Sequence, residues 1–418
     1  YGDNKQYLFQ AAAGKSFFND RLHVEVSGEY DHEDGVPAGG FGEQLANGRT
    51  WYRTSTFINR NVTNDGSPQY LVRDHAQAYQ YTKYGLITGG PLQGTAFDVN
   101  GVPFQFQYGS NGVPSKALPG TPQFGLVSGC YPQGGFCLGG DLSGNVGIGT
   151  TLQSRLDRYN GYGRVGFDLD ANNEIYATVN IAQVDTMNQP NPGATKSGLT
   201  LQCSNPFVPA SIQAACATAG ITSFQFGSSN GELPANITVY PTRKQYRFVG
   251  GATGKVPVFG TTWNYDFSYE HGENITDIHV KNITLTSRYN AAIQAISLGG
   301  QIVCADPVAR ANGCVPINII GGTPPSAAAL AYIEPTNGPF QHTRQTQDAL
   351  AFSFSGSPLS LWAGPVSFAA GAEYRNEFYH VVGDPYGNGV SAETPYTSTY
   401  PADPVLNTAG NNWYAGNY

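Results

Sequence analysis

Charged side chains are scarce in this chain: 12% of its 418 residues, about half the roughly 25% usual in soluble domains. Methionine occurs once. No apolar run approaches the roughly 18 residues of a membrane helix, so a helical span is excluded. Cys-x-x-Cys and Cys/His clusters are missing, which removes the usual zinc frameworks. Gly-x-Ser-x-Gly is missing too, and with it the hydrolase nucleophile elbow. The net charge of -8 comes without any basic track carrying interleaved aromatics, so nucleic acid is not an expected partner. The chain starts at Tyr1 without a leader-like segment, and a processed or partial chain is expected.

Glycine (53), proline (27) and aromatics (12%) take the place of charge. With the abundant Asn, Thr, Ser and Gln they supply turns, polar surfaces and aromatic belts. Mean hydropathy is -0.29, so the chain is patterned rather than greasy.

The clearest pattern is Trp263-Asn-Tyr-Asp-Phe-Ser-Tyr-Glu270, aromatic at odd positions and polar at even ones. A period of two sends these sets to opposite faces of a strand. Asn264, Asp266, Ser268 and Glu270 share the polar face. In a soluble sandwich the aromatic face would be core; in an outer-membrane barrel it would meet lipid and the polar face would line a lumen.

Further strand-like segments come in pairs: 7–14 with 21–30, 162–169 with 174–184, 243–254 with 261–270, and 348–355 with 364–382. Short turns join the members, notably Phe18-Asn19-Asp20 and Asp170-Ala-Asn-Asn173. In the last strand Val366, Phe368, Ala370, Ala372 and Tyr374 oppose Ser367, Gly371, Glu373, Arg375 and Glu377. Long connections, roughly 31–160, 185–242, 271–345 and 383–418, separate the pairs. Compact soluble domains rarely carry such loops. Short turns at one end and long loops at the other suit an outer-membrane barrel. Within the third loop, 287–296 and 326–333 have helical spacing, with Ser326 as N-cap of the second.

The six cysteines fall as close pairs in the long loops: Cys130 with Cys137, Cys203 with Cys216, Cys304 with Cys314. Local disulfides are the simplest reading and imply an oxidising compartment. Metal ligation is the competing reading.

Other candidates are weak. His23-x-Glu25 could seed a metal site, and reads as ordinary polar strand residues. Asp31, His32, Glu33 and Asp34 offer carboxylates for Ca²⁺, without a recognisable ligand loop. The stretch 139–149 is glycine-rich but lacks the Lys-Ser/Thr of a phosphate loop. Ser357 and His380 form no nucleophile motif, and the sequons at Asn61, Asn236, Asn274 and Asn282 match chance expectation. No catalysis, cofactor or resident metal is expected.

The stretch 162–180 (Tyr-Gly-Arg-Val-Gly-Phe-Asp-Leu-Asp … Glu-Ile-Tyr-Ala-Thr-Val-Asn), the stretch 313–321 (Gly-Cys-Val-Pro-Ile-Asn-Ile-Ile-Gly) and, above all, 361–375 (Leu-Trp-Ala-Gly-Pro-Val-Ser-Phe-Ala-Ala-Gly-Ala-Glu-Tyr-Arg) resemble TonB-dependent outer-membrane receptors of the large-loop proteobacterial type. The resemblance runs from about Tyr7 to Tyr418. It implies an all-β fold, an antiparallel transmembrane β-barrel of about 22 strands around a plug. A TonB box, a plug and a terminal aromatic strand are missing, so this chain is expected to supply about 8–12 strands of such a barrel. Its role would be energised uptake of a scarce nutrient (siderophore, carbohydrate or peptide class), with outer-membrane lipid as a partner and TonB engaged through the missing N-terminal region. Recognition would fall to loops 85–150, 185–242 and 300–342. Asn264, Asp266, Glu270, Glu373, Arg375 and Glu377 would face the lumen. The rival readings are a secreted adhesive β-protein that assembles into fibres through strand edges, and a soluble all-β hydrolase.

Overall fold

The computed structural model describes residues 4–36, 55–59, 70–74, 76–78, 82–106, 130–131, 136–138, 151–190, 196–228, 233, 236–258, 260–407 and 409–414. Eight long strands pair in chain order into one antiparallel sheet. They are β1 (Gln6–Phe17), β2 (Leu22–Glu33), β3 (Arg155–Asp170), β4 (Asn173–Met187), β5 (Thr238–Val258), β6 (Thr261–Lys281), β7 (Phe340–Leu361) and β8 (Gly364–Gly383). Among the described residues the sheet is open, with β1 and β8 as its edges. The expected strand number is met at its lower limit, and closure into a barrel is not seen.

Strand ends are legible from turn chemistry. Phe18, Asn19 and Asp20 all have positive φ (54°, 57° and 62°), a tight left-handed turn that brings Arg21 N–H to Phe17 C=O at 3.1 Å. Asp170 accepts from Asn172 N–H (2.8 Å) and closes the β3–β4 turn. Gly364, at φ 121°, starts β8 where an L side chain would be strained. Further in, Trp263 lies opposite Gly356. A Cβ on Gly356 would sit 2.4 Å from the indole, so glycine there lets Trp263 stack on Phe354 at 4.6 Å.

The strands run farther than the sequence indicates. β7 has 22 residues where alternation marked only 348–355, and β6 continues past Glu270 to Lys281. The added stretches, such as Gln341-His-Thr-Arg-Gln-Thr-Gln347, are polar on both faces and so carry no period-two hydropathy signal.

Hydrogen-bond register exposes a steady stagger. Phe17, Leu22, Phe167, Ile175, Ala252, Phe267, Phe352 and Ala372 form one row straight across the sheet. The β1–β2 hairpin ends at that row, whereas β5–β6 ends six residues beyond it (Ala252 to Val258). The β7–β8 hairpin ends nine residues beyond it on β7 (Phe352 to Leu361) and eight on β8 (Ala372 to Gly364). At about 3.3 Å per residue and about 4.8 Å per strand, that is a drop of about 28 Å across about 29 Å of sheet. If the turns lie level, the strands tilt by about 45°, close to the roughly 35–45° of strands in closed barrels.

The opposite strand ends carry a folded cap. Lys196–Gln202, Ser223–Ser228, Leu86–Gly89, Thr95–Phe97 and Pro103–Gln105 make a five-stranded sheet. It packs with α1 (Ala210–Ala219), α2 (Thr286–Ile293) and α3 (Ala327–Ile333) around Phe97, Phe226, Tyr289 and Ile333. The second helix ends earlier than expected, because Ala295–Leu298 turns into a hairpin with Gln301–Cys304. Ser326 caps α3 as expected, accepting from Ala329 N–H at 3.2 Å. The disulfides Cys203–Cys216 and Cys304–Cys314 form as expected, the first anchoring α1. Cys130 and Cys137 are register partners in a short strand pair, and their side chains lie outside the described residues.

A second core of the cap gathers Leu285, Tyr386, Tyr400 and Trp413, and Asp384, fully buried just after β8, fastens it. Its carboxylate accepts from Trp413 Nε1 (2.9 Å), Tyr386 N (3.0 Å) and Gly387 N (2.8 Å). Burial holds this carboxyl above the ordinary carboxylate range, although the N–H donors pull the other way. A carboxyl raised by folding stabilises most when protonated. Its contribution is complete below the unfolded value of 3.8 and fades as pH rises through the folded one. Asp384→Asn, which keeps the acceptor, is expected to unfold with a weaker pH dependence between about pH 3 and 7. Asp384→Ala should lose about 2–4 kcal/mol by stranding buried donors. Denaturant melts of the two variants across pH check both outcomes.

Candidate binding face

Alternation gives the sheet two chemically distinct faces. One carries Leu22, Val24 and Val26 on β2, Val165 and Phe167 on β3, Ile175, Val179 and Ile181 on β4, and Phe248 on β5. It continues through Trp263, Tyr265, Phe267 and Tyr269 on β6, Leu350, Phe352 and Phe354 on β7, and Phe368 and Tyr374 on β8. Most of these side chains stand open to the outside: Val26 is 53% exposed, Phe267 40%, Phe368 50% and Tyr374 68%. No second layer covers them among the described residues.

This apolar face ends at a defined distance from the hairpins. Its first polar residue is His32, ten positions from Leu22, and Asp157, thirteen from Asp170. It is Gln183, ten from Asn173, and Lys244, fourteen from Val258. It is His271, ten from Thr261, Asp348, thirteen from Leu361, and Asn376, twelve from Gly364. Tyr30, Tyr159, Tyr246, Tyr269 and Tyr374 stand one step below that limit on five of the strands. The limit follows the staggered turns, not the hydrogen-bonded rows. At the limit His32 pairs with Asp157 (2.6 Å) and His271 with Asp348 (2.8 Å), and six residues farther along β6 and β7 His342 pairs with Asp277 (2.6 Å).

The other face is polar from edge to edge. Asn264, Asp266, Ser268, Glu270, Glu373, Arg375 and Glu377 all lie on it, Ser268 in one register row with Glu373 and Glu270 in one row with Arg375. Glu270 receives both Nε (2.8 Å) and Nη2 (2.7 Å) of Arg247, a bidentate pair. Arg375 reaches Glu373 at 2.7 Å, and Glu377 at 3.8 Å. Arg158 bridges Glu29 and Asp31, at 2.9 and 3.0 Å. Arg164 pairs with Glu174 at 2.7 Å while lying over the Tyr176 ring.

Two cavities open on this face, of about 630 and 350 Å³, and both are lined by Gln245 and Arg247. Along their walls runs one straight row: Gln10, Glu29, Asn160, Ala182, Gln245, Asn274, Gln345, Tyr379. Glu29 is held by Gln10 (2.6 Å) and Asn160 (2.9 Å). Sequence reasoning missed this row. Its signal was present as Gln and Asn at alternate positions, but only pairing shows that they align.

The remaining candidates disperse. His23 bonds Ser16 (3.1 Å) and Asp168 (3.2 Å), and Glu25 is not part of that group. Asp31 and Glu33 point to the polar face, His32 to the other, so the acidic cluster is split by the strand. No group of three or more His, Cys, Asp or Glu poised for a metal occurs among the described residues. Ser357 sits on β7 thirteen residues from Arg344, the register partner of His380, or about 40 Å along the strand. His380 instead meets Glu393 at 3.1 Å. Asn282 spends its amide on Asn236 C=O (2.9 Å). The stretch 139–149 and Asn61 lie outside the described residues.

Comparisons add little. No family model matches the chain, and no curated protein matches. Among solved structures it is similar to the ferric preacinetobactin receptor BauA of Acinetobacter baumannii, with 8% identity and a TM-score of 0.30. That likeness spans 91% of this chain and 37% of the receptor, and at such a TM-score it carries no argument.

Arg247 and Glu270 are both partly exposed, which limits their pairing energy. A double-mutant cycle with Arg247→Ala and Glu270→Ala is expected to give a coupling of about 1 kcal/mol or less in urea melts at moderate salt. A coupling several times larger would mean that the face is closed off from water.

Proposed function

We propose that this chain is wall and cap of an outer-membrane β-barrel receptor that captures a scarce nutrient for energised uptake. One observation carries the reading: the limit of the apolar face keeps step with the staggered hairpins across β2 to β8. A soluble sandwich has no reason to level its apolar face with its turns along a direction tilted by about 45° to the rows. A bilayer imposes that level. Ten to fourteen residues at such a tilt rise about 23–33 Å, which spans the roughly 25 Å band of barrels. The tyrosines at its upper limit then sit at the headgroup level, as interfacial aromatics do.

In this reading the short turns are periplasmic, and the disulfide-bearing cap is extracellular, where oxidation is permitted. The open edges of β1 and β8 would pair with further strands, since unpaired backbone is costly in hydrocarbon. TonB would act through parts outside this chain. No covalent chemistry is assigned.

Open edges also support the rival reading of a secreted β-protein that assembles through them. Extraction separates the two. The protein should remain in carbonate-washed outer membranes and leave them only with detergent; recovery as filaments without detergent would sink the receptor reading. Substitution sharpens it. Phe267→Lys, at mid-height of the apolar band, should cost about 2–4 kcal/mol of folding in lipid vesicles. Ser268→Lys, its neighbour on the polar face, should cost less than about 1 kcal/mol.

A further inference from the structure

The amide row on the polar face narrows the class of nutrient. Gln245, Asn274 and Gln345 are direct register partners on three adjacent strands, about 4.8 Å apart, with Tyr379 next in line on β8. No hydrogen bond engages their side chains among the described residues, nor that of Asn180 one strand away. Each carboxamide therefore offers donors and an acceptor into the adjoining cavities.

Charge lining these cavities is one-sided. Among the described residues Arg247 is the one cation along either wall, and Glu270 neutralises it through two hydrogen bonds. Glu29 and Glu377 add negative charge. Glu29 is bridged by Arg158 and Glu377 lies 3.8 Å from Arg375, so an anionic ligand would meet paired carboxylates and, among the described residues, no unpaired cation along these walls. A neutral ligand dense in hydroxyls would meet amides, which bond hydroxyls as donor and acceptor alike. Tyr162 and Tyr379 add phenolic rings that suit the apolar faces of sugar rings.

Height fits reception from outside. Gln245 and Asn274 stand thirteen residues from their turns, and Gln345 sixteen. On the outer side of the same strands the surface turns polar at Lys244, His271 and Asp348, ten to fourteen residues from the turns. The row thus lies at the inner mouth of the wall, below the cap. The cavity volumes fall within the roughly 300–1,000 Å³ of small-molecule sites.

We infer that the Gln245–Asn274–Gln345 row is a binding site for neutral oligosaccharides. This rests on the receptor reading and selects carbohydrate over anionic metal chelates as its cargo. The test uses the detergent-purified full chain on an array of neutral glycans, with an anionic ferric catecholate chelate as competitor. Binding to at least one neutral glycan is expected, insensitive to the chelate. The combined Gln245→Ala, Asn274→Ala, Gln345→Ala variant should weaken it by about 10-fold or more. Gln245→Glu alone, which keeps the shape but loses the donors, should weaken it in the same direction, and it guards against misfolding of the triple variant. A silent array, preference for the chelate, or unchanged glycan affinity in both variants would overturn the assignment. The receptor reading is judged separately: detergent-dependent extraction with a silent array keeps the receptor and removes the sugar site. Glycan binding by a protein that needs no detergent does the reverse.

Discussion

The stagger of the hairpins is the constraint on which the rest of the molecule depends. Each step from one hairpin to the next lowers the turn by about three residues while the hydrogen-bonded rows stay continuous. That combination tilts the strands while keeping them paired along each row, which the proposed membrane setting would require. The apolar limit then has to shift along the rows, from His32 and Asp157, which are direct partners, to His271, Asp348 and Asn376, which are partners six rows nearer the turns.

The tilt also shapes the capped end. Strands β1 and β2, of 12 residues each, stop near the apolar limit, whereas β5 to β8, of 20 to 22 residues, rise well past it. Their extensions are largely polar and half-buried, stitched by pairs such as Arg344 with Glu273, and Val280 at the tip of β6 is buried in the cap. They form a stem on which the cap is built. Arg288 on α2 pairs with Asp403, and Asn312 donates to the same carboxylate at 3.1 Å, so the segment after β8 is tied to the loop between β6 and β7. Asp384 repeats the tie at the root of β8. The two disulfides close short loops inside the cap rather than joining it to the sheet, so the cap relies on buried polar clips for its seat.

The sequence was legible wherever one strand face was apolar and the other polar. Trp263 to Glu270 showed its strand without ambiguity, and the lower half of every hairpin was recognisable. The same signal vanished where polar residues occupy both faces, as from Gln341 to Gln347, and where Ile275, Ile278 and Val280 fall on different faces, as from Gly272 to Lys281; both stretches read as loop. Ser326 announced its helix through capping chemistry, whereas α1 starts after Pro209 without a side-chain cap and went unseen. The six residues expected to face a lumen share one face of the sheet, because period two decides that locally. The amide row was not legible at all. Gln245, Asn274 and Gln345 are separated by 29 and 71 positions, and nothing in a single strand fixes which residue its neighbour will present.

That dependence on pairing explains where the irregularities sit. A slip of one residue in any strand would send its aromatic set to the polar side and its amides to the apolar side. The register breaks in the large sheet fall between Asp168 and Asp170, and between Gly356 and Leu359, both close to the hairpin turns. From there up through the apolar band and the amide row, the pairing of all eight strands is unbroken. Gly356 lies at the lip of one break and accommodates Trp263, so the largest side chain of the apolar face is seated where the strand can still yield. Flexibility is spent at the turns, and the register that separates the two chemistries is kept intact above them.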